Sequence, residues 1–166
     1  MNSELFENDL RYKHDGKFFT YRVGAIIVEE NHVLLATNNV SPYYYSVGGA
    51  VKFGETAEEA IKREVFEETG VNYEIDRLAV IHENFFFGDG SADGYKCHEI
   101  SLYFLMKSRG SMELDSHSFC AEGEEFMCWL PIDKLETVTA YPSFLTDYLE
   151  CIPKEIIHIV TDETNE

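Results

Sequence analysis

Three glutamates, Glu64, Glu67 and Glu68, end a stretch whose apolar spacing otherwise reads as a core-facing helix. From Gly49 to Val71 the chain runs GAVKFGETAEEAIKREVFEETGV, with six glutamates in 23 residues. Ala57, Ala60, Ile61 and Val65 recur every three to four residues, the pattern of a buried stripe. Continuing that stripe leads to positions 64 and 68, where the chain has carboxylates instead of apolar groups. At ~100° per residue, Glu64, Glu67 and Glu68 fall within roughly a third of the helix circumference. Carboxylates gathered on an inward face repel one another and resist desolvation, so only a multivalent cation or a proton makes them tolerable. A solvated charge face, the common fate of a glutamate run, suits Glu58 and Glu59 but fails on phase for Glu64 and Glu68.

The helix that must carry these groups is well specified. Thr56 and Glu59 have the spacing of a capping box, and Gly70 supplies a residue able to turn left-handed after the last turn. Glu58–Lys62, Glu59–Arg63 and Arg63–Glu67 are i,i+4 pairs worth a few tenths of a kcal/mol each. A helix is predicted over 57–69.

Gly49, Glu55 and the run Arg63-Glu64-Val65-Phe66-Glu67-Glu68-Thr69-Gly70-Val71 together resemble the Nudix box, G-x5-E-x7-R-E-U-x-E-E-x-G-U with U aliphatic, and every fixed position is met. The flanks are also similar: two β-rich segments precede the box, and Trp129-Leu130-Pro131 followed by Ile132–Leu135 resembles the family's tryptophan-containing strand and short helix. Many members have proline before the paired glycines, where this chain has Val47. The resemblance implies an α/β/α sandwich with a mixed β-sheet. It implies hydrolysis, with Mg²⁺ or Mn²⁺, of a pyrophosphate bond in a nucleoside diphosphate linked to another moiety, a small-molecule nucleotide substrate.

A pyrophosphate carries closely spaced negative charge, and metal ions neutralise its oxygens and acidify bound water. Hard cations take oxygen ligands, in keeping with glutamates in place of histidine and cysteine. By position, the resemblance makes Glu68 and Glu67 principal metal ligands and Glu64 the general base or a bridging ligand, oriented by Arg63. Glu55 becomes an auxiliary ligand and the Gly48 carbonyl a metal contact. Members often recruit a later carboxylate; Glu122, Glu124 and Glu125 are equal candidates. A nucleoside triphosphate pyrophosphohydrolase is the alternative reading, and a non-catalytic nucleotide sensor a third, disfavoured by the intact Arg63, Glu64, Glu67 and Glu68.

At 166 residues and 45% hydrophobic, the chain suits a single domain spanning 1–166. Its net charge of −18 opposes binding to nucleic acid or an anionic membrane, and poses the problem of an anionic substrate on an anionic protein. No run of about 18 apolar residues exists, and the start MNSELFENDL lacks the marks of a signal peptide. Cytoplasmic residence is therefore expected, and a homodimer stays open. Cys97, Cys120, Cys128 and Cys151 read as free thiols, mostly small core residues, and the six histidines as structural.

Organisation reads β-rich, helix, β-rich, helix. Lys17–Val28 and His32–Thr37 are expected to pair across Glu29-Glu30-Asn31, and Leu78–Phe87 with Glu99–Lys107 to form a second hairpin. A strand is expected at Glu125–Leu130, a helix after Pro142, and a frayed polar tail over about 161–166. The loop Gly88–Gly94 has Asp89, Ser91, Asp93 and Gly94 at calcium-loop spacing, but Ile100 stands where a bidentate carboxylate is required, so a hairpin connection is the better reading. Arg22 and Lys52 are the candidate phosphate-binding residues, against ordinary surface positions. One or two of Tyr43–Tyr45 and Phe85–Phe87 are expected to touch a base. ADP-ribose-cleaving members often carry a proline shortly past the box; here none lies between Pro42 and Pro131.

Overall fold

A computed structural model of the chain describes residues 8–120 and 123–165. Its elements in order are β1 (Arg11–His14), β2 (Lys17–Ile26), β3 (Val28–Glu29), β4 (His32–Asn38), β5 (Tyr44–Ser46), β6 (Gly48–Ala50), α1 (Ala57–Thr69), β7 (Ile75–Phe87), β8 (Lys96–Met106), β9 (Phe119–Cys120), β10 (Gly123–Pro131), β11 (Ala140–Tyr141), α2 (Leu145–Glu150) and β12 (Ile157–Asp162). They form two mixed sheets. One runs β1-β2-β8-β7-β12 with β6 also on β2, and the other β11-β5-β4-β10-β9 with β3 also on β4. The chain leaves the first sheet between β2 and β3 and returns between β5 and β6.

Two apolar cores lie on opposite faces, as side-chain alternation along β2 requires. Val23 and Ala25 of β2 pack with Ala60, Ile61 and Val65 of α1. Ile26 packs instead with Leu145, Tyr148 and Leu149 of α2. The expected sandwich, with helices on both sides of mixed sheets, is the architecture found. Among the described residues no helix is long and apolar enough to cross a membrane.

α1 has the predicted bounds and caps. The Thr56 hydroxyl accepts from Glu59 N–H, the Glu59 carboxylate accepts from Thr56 N–H, and Gly70 takes the left-handed conformation (φ 72°) while donating to the Phe66 carbonyl. A side chain at Gly70 would also collide with the Asp115 carbonyl.

Elsewhere tertiary pairing departs from the local pattern. Glu30 (φ 47°) and Asn31 (φ 62°) do make the expected tight turn, but only Val28–Glu29 pairs back onto β4. The long strand β2 runs parallel to β8 instead, a partner some eighty residues away that no local signal identifies. The β7–β8 hairpin forms as expected. The tail reading is corrected: Thr161 and Asp162 complete β12, paired with Asn84 and Phe85 of β7, because β7 leaves an unpaired edge there. All four cysteines are free, but only Cys97 is buried.

Glu29, read as a turn residue, is a strand residue with 1% exposure. It ties the segment after β8 to the sheet: its carboxylate accepts from Ser108 Oγ (2.6 Å), Arg109 N (2.6 Å) and Gly110 N (3.1 Å). Burial pushes its pKa up, but the three donors outweigh that and hold it below the ordinary carboxylate value. The stabilisation is present above the unfolded-state pKa and is lost as pH falls through the folded one. Glu29→Gln should cost about 2 kcal/mol at neutral pH, with the gap to the parent closing in acid. Urea unfolding at several pH values checks this; a pH-independent gap would rule out the ionised carboxylate as its source.

Candidate active site

Arg63, at the middle of α1, organises the carboxylates of the box. Its Nε and Nη2 grip Glu55 in a two-point fork (2.7 and 3.0 Å), Nη1 donates to Glu64 Oε1 (2.6 Å) and more weakly to Glu67 (3.3 Å), and Nη2 reaches the Ala50 carbonyl (3.2 Å). A planar guanidinium is the side chain that can bind two carboxylates and a carbonyl at once. Hydrogen bonding to Arg63 lowers the Glu55 pKa, and Lys52 N–H adds to this by donating to Glu55 (3.0 Å). For Glu64 burial dominates and raises its pKa against the pull of Arg63. Gly49 makes room for this group, since a Cβ there would lie 2.6 Å from the Glu64 carboxylate.

Glu68, one turn on, is buried at 8% exposure. Among the described residues its side chain accepts one hydrogen bond, from Gly48 N–H at 3.0 Å. Burial first, then the charges of Glu125 and Glu64, push its pKa well above the ordinary carboxylate range. Of the three later candidates, Glu125 is the one brought here. It is buried, Glu124 is exposed, and Glu122 lies outside the described residues. Glu125 Oε2 accepts from Tyr45 Oη (2.5 Å) and Oε1 from Ser118 Oγ (2.7 Å). Burial, reinforced by this hydrogen bond, pushes the Tyr45 pKa up, so the phenol remains the donor. A sequence signal for Glu125 did exist: it is in phase on β10 with Met127 and Trp129, which pack against the α1 core, whereas Glu124 is out of phase. Nothing local marked Ser118 or the Tyr45 hydroxyl.

Glu67 departs from the phase expectation. Its side chain is 54% exposed at the rim, touched only by Arg63 among the described ion pairs, because it sits at the edge of the glutamate arc farthest from Ile61 and Val65, about 60° round the helix from Glu64 and about 100° from Glu68.

A cavity of about 530 Å³ adjoins the carboxylates through Tyr45 and Arg22, and none of Glu55, Glu64, Glu67, Glu68 and Glu125 lines it. Arg22 lines it, paired with Glu99 (3.5 Å), whose charge raises the Arg22 pKa; the guanidinium also feels Glu68 and Glu64. Lys52 is not among the lining residues. Tyr43, Tyr45, Phe86 and Phe87 contribute to the wall, while Tyr44 and Phe85 turn away onto the α2 core and His98. Tyr141 packs edge-on against Tyr43 (5.2 Å, 87°), and Asp89 of the 88–94 loop accepts from the Tyr43 hydroxyl (3.1 Å). That loop borders the cavity and does not fold as a calcium loop: Gly90–Ala92 is a single 3-10 turn.

The donor set is all oxygen and suits a hard divalent cation. Among the described residues no three acidic, histidine or cysteine side chains are already gathered at metal-binding distances. Glu64 faces Arg63 and Glu67 faces outward. The fit is one of chemistry: Glu68, desolvated between two like charges with one hydrogen bond, is a carboxylate that a cation would stabilise.

A family model for the NUDIX domain matches residues 19–148. A MutT-like protein of Streptomyces ambofaciens is 29% identical over 114 residues, 68% of this chain and 64% of its own. An ADP-ribose pyrophosphatase of Methanocaldococcus jannaschii is 33% identical over 107 residues, 63% of this chain and 59% of its own. The chain thus spans less than two thirds of either relative. Among solved structures, a MutT NUDIX hydrolase from Burkholderia pseudomallei superposes with a TM-score of 0.60 at 23% identity, over 81% of this chain and 98% of that one, a likeness of fold. With a box complete at every fixed position, folded as a capped helix against β2 and β6, and a family match over most of its length, the chain belongs to the Nudix family.

Proposed function

We propose that this chain hydrolyses a pyrophosphate bond in a nucleoside diphosphate linked to another moiety, using a divalent cation. The observation that carries the reading is the group Glu64, Glu68 and Glu125, the last two buried and Glu64 half-buried, held by Arg63, Tyr45 and Ser118 next to a cavity walled by aromatic rings. Glu68, Glu64, Glu67, Glu125 and the Gly48 carbonyl are the groups that would hold Mg²⁺ or Mn²⁺. When bound, the metal supplies charge neutralisation at the pyrophosphate oxygens and acidifies water.

The protein's own groups do the rest. Arg63 fixes one Glu64 oxygen and leaves the other to take the proton of the attacking water. Glu55 keeps Arg63 in place and charged. Arg22 offers its guanidinium to a phosphate oxygen in partial exchange for Glu99. The rings of Tyr43, Phe86 and Phe87 stack the base or its counterpart. ADP-ribose, named by the archaeal relative, heads the substrate panel although the proline typical of such members is missing. The MutT-like relative keeps nucleoside triphosphates in it as the second reading.

On the substrate identified with Mg²⁺ or Mn²⁺, Glu68→Gln and Glu64→Gln should each lower kcat by on the order of 10² or more, while Glu58→Gln stays near the parent. Three indistinguishable variants would remove the basis for the facial assignment. Gly49→Ala should displace the Glu64 carboxylate and cut kcat by on the order of tenfold or more with the fold retained by circular dichroism. Hydrolysis in ¹⁸O-labelled water should leave label in a phosphate of the products; label confined to a sugar or base fragment would exclude attack at the pyrophosphate.

The like-charge strain at Glu68 also has a thermal signature. In chelator Glu68→Gln should melt about 2–4 °C above the parent, and Mg²⁺ should stabilise the parent more than the variant. Differential scanning calorimetry in both conditions checks it, and a variant that melts lower in chelator would contradict the proposed strain.

A further inference from the structure

Tyr45 stands in two places at once. Its ring is part of the cavity wall, and its hydroxyl donates to Glu125 Oε2 at 2.5 Å while itself receiving a longer contact from Asn38 Nδ2 (3.4 Å). Ser118 Oγ holds the other Glu125 oxygen at 2.7 Å. Glu125 is thereby pinned through both oxygens, each by a hydroxyl donor, at 8% exposure and within reach of the Glu68 charge.

Such pinning opposes electrostatics. Two carboxylates in a poorly solvated site drive each other apart, and a side chain as long as glutamate has the rotamer freedom to swing away. Glu125 also borders a second cavity with Ser116, His117 and Ser118, so solvent is available to a Glu125 that lets go. The rigid phenol of Tyr45 prevents this. It reaches across from β5, which pairs with β4 and so lies two strands from β10 in the same sheet, with its own position fixed by the backbone.

We propose that Tyr45 is a positioning residue, holding Glu125 beside Glu68 as part of the cation-binding face while its ring shapes the adjoining cavity. The inference rests on the metal-dependent reading given above and extends it to a residue outside the box. Its consequence is that one side chain links the ring-binding wall to the carboxylate geometry. A ligand that presses on Tyr45 also acts on Glu125.

The test uses Mn²⁺ alone, titrated into the full chain and followed by electron paramagnetic resonance, in the parent, Tyr45→Phe, Glu125→Gln, the double variant and Glu68→Gln. Phenylalanine keeps the ring and removes only the donor, and circular dichroism with melting in chelator verifies that each variant folds. Tyr45→Phe should weaken Mn²⁺ binding about five- to tenfold and change the spectrum of the bound ion. In the Glu125→Gln background the same substitution should change affinity less than twofold, since the group it positions is already altered. Parent-like affinity and spectrum in Tyr45→Phe, or equal weakening in both backgrounds, would overturn the positioning role. If the parent binds no Mn²⁺, or Glu68→Gln binds it as tightly as the parent, the metal-dependent reading fails and this inference with it. Weakening in Glu68→Gln without any in Tyr45→Phe sinks this inference alone.

Discussion

The grip of Arg63 on Glu55, Glu64 and the Ala50 carbonyl is the interaction on which the site depends. It joins three pieces of chain: the loop before α1, the helix itself, and the end of β6. A single cation thereby offsets two carboxylates, and the helix is anchored at the height where Glu64 and Glu68 meet Gly48 and Gly49. A lysine there would supply the charge without the fork, and could not hold Glu55 at two points while reaching the carbonyl. The same grip explains why the acidic face is tolerable in a chain of net charge −18. One oxygen of Glu64 is balanced, and the unbalanced charge is concentrated on Glu68 and Glu125, where burial makes it costly and a bound cation most favourable.

Much of this was legible in the sequence because its determinants are local. The bounds of α1 follow from Thr56, Glu59 and Gly70, which act within a few residues of the ends they define. The inward placement of Glu64 and Glu68 follows from phase with Ile61 and Val65, since helical geometry transmits phase over several turns. Glu67 shows the limit of that reasoning: a neighbour within the same third of the circumference can still fall on the solvent side of the boundary, which is drawn by the sheet and not by the helix.

What was not legible is non-local. The parallel partner of β2, the seating of β12 beside β7, and the hydroxyl pair on Glu125 all arise from contacts between distant segments. Choosing among Glu122, Glu124 and Glu125 needed only the alternation with Met127 and Trp129, a signal present but outweighed by the apparent equivalence of an acidic run. The tyrosines illustrate the reverse: alternation separates Tyr43 and Tyr45 from Tyr44, yet nothing in it distinguishes a ring that lines a wall from one whose hydroxyl restrains a carboxylate.

The chain crosses between the sheets four times, after β2, β5, β8 and β11, and this has a consequence for how the protein comes into being. The box and its glycine loop lie in the first half of the sequence, but Glu125 and Ser118 arrive only when β10 has docked on β4, with Tyr45 some eighty residues behind them. A chain still emerging from the ribosome can therefore form α1 and its caps early, while the complete acidic pocket waits for the late strands to close the second sheet. Pairings of such long range are slow to form. A nascent chain thus displays the family's signature motif well before it possesses the full constellation around it.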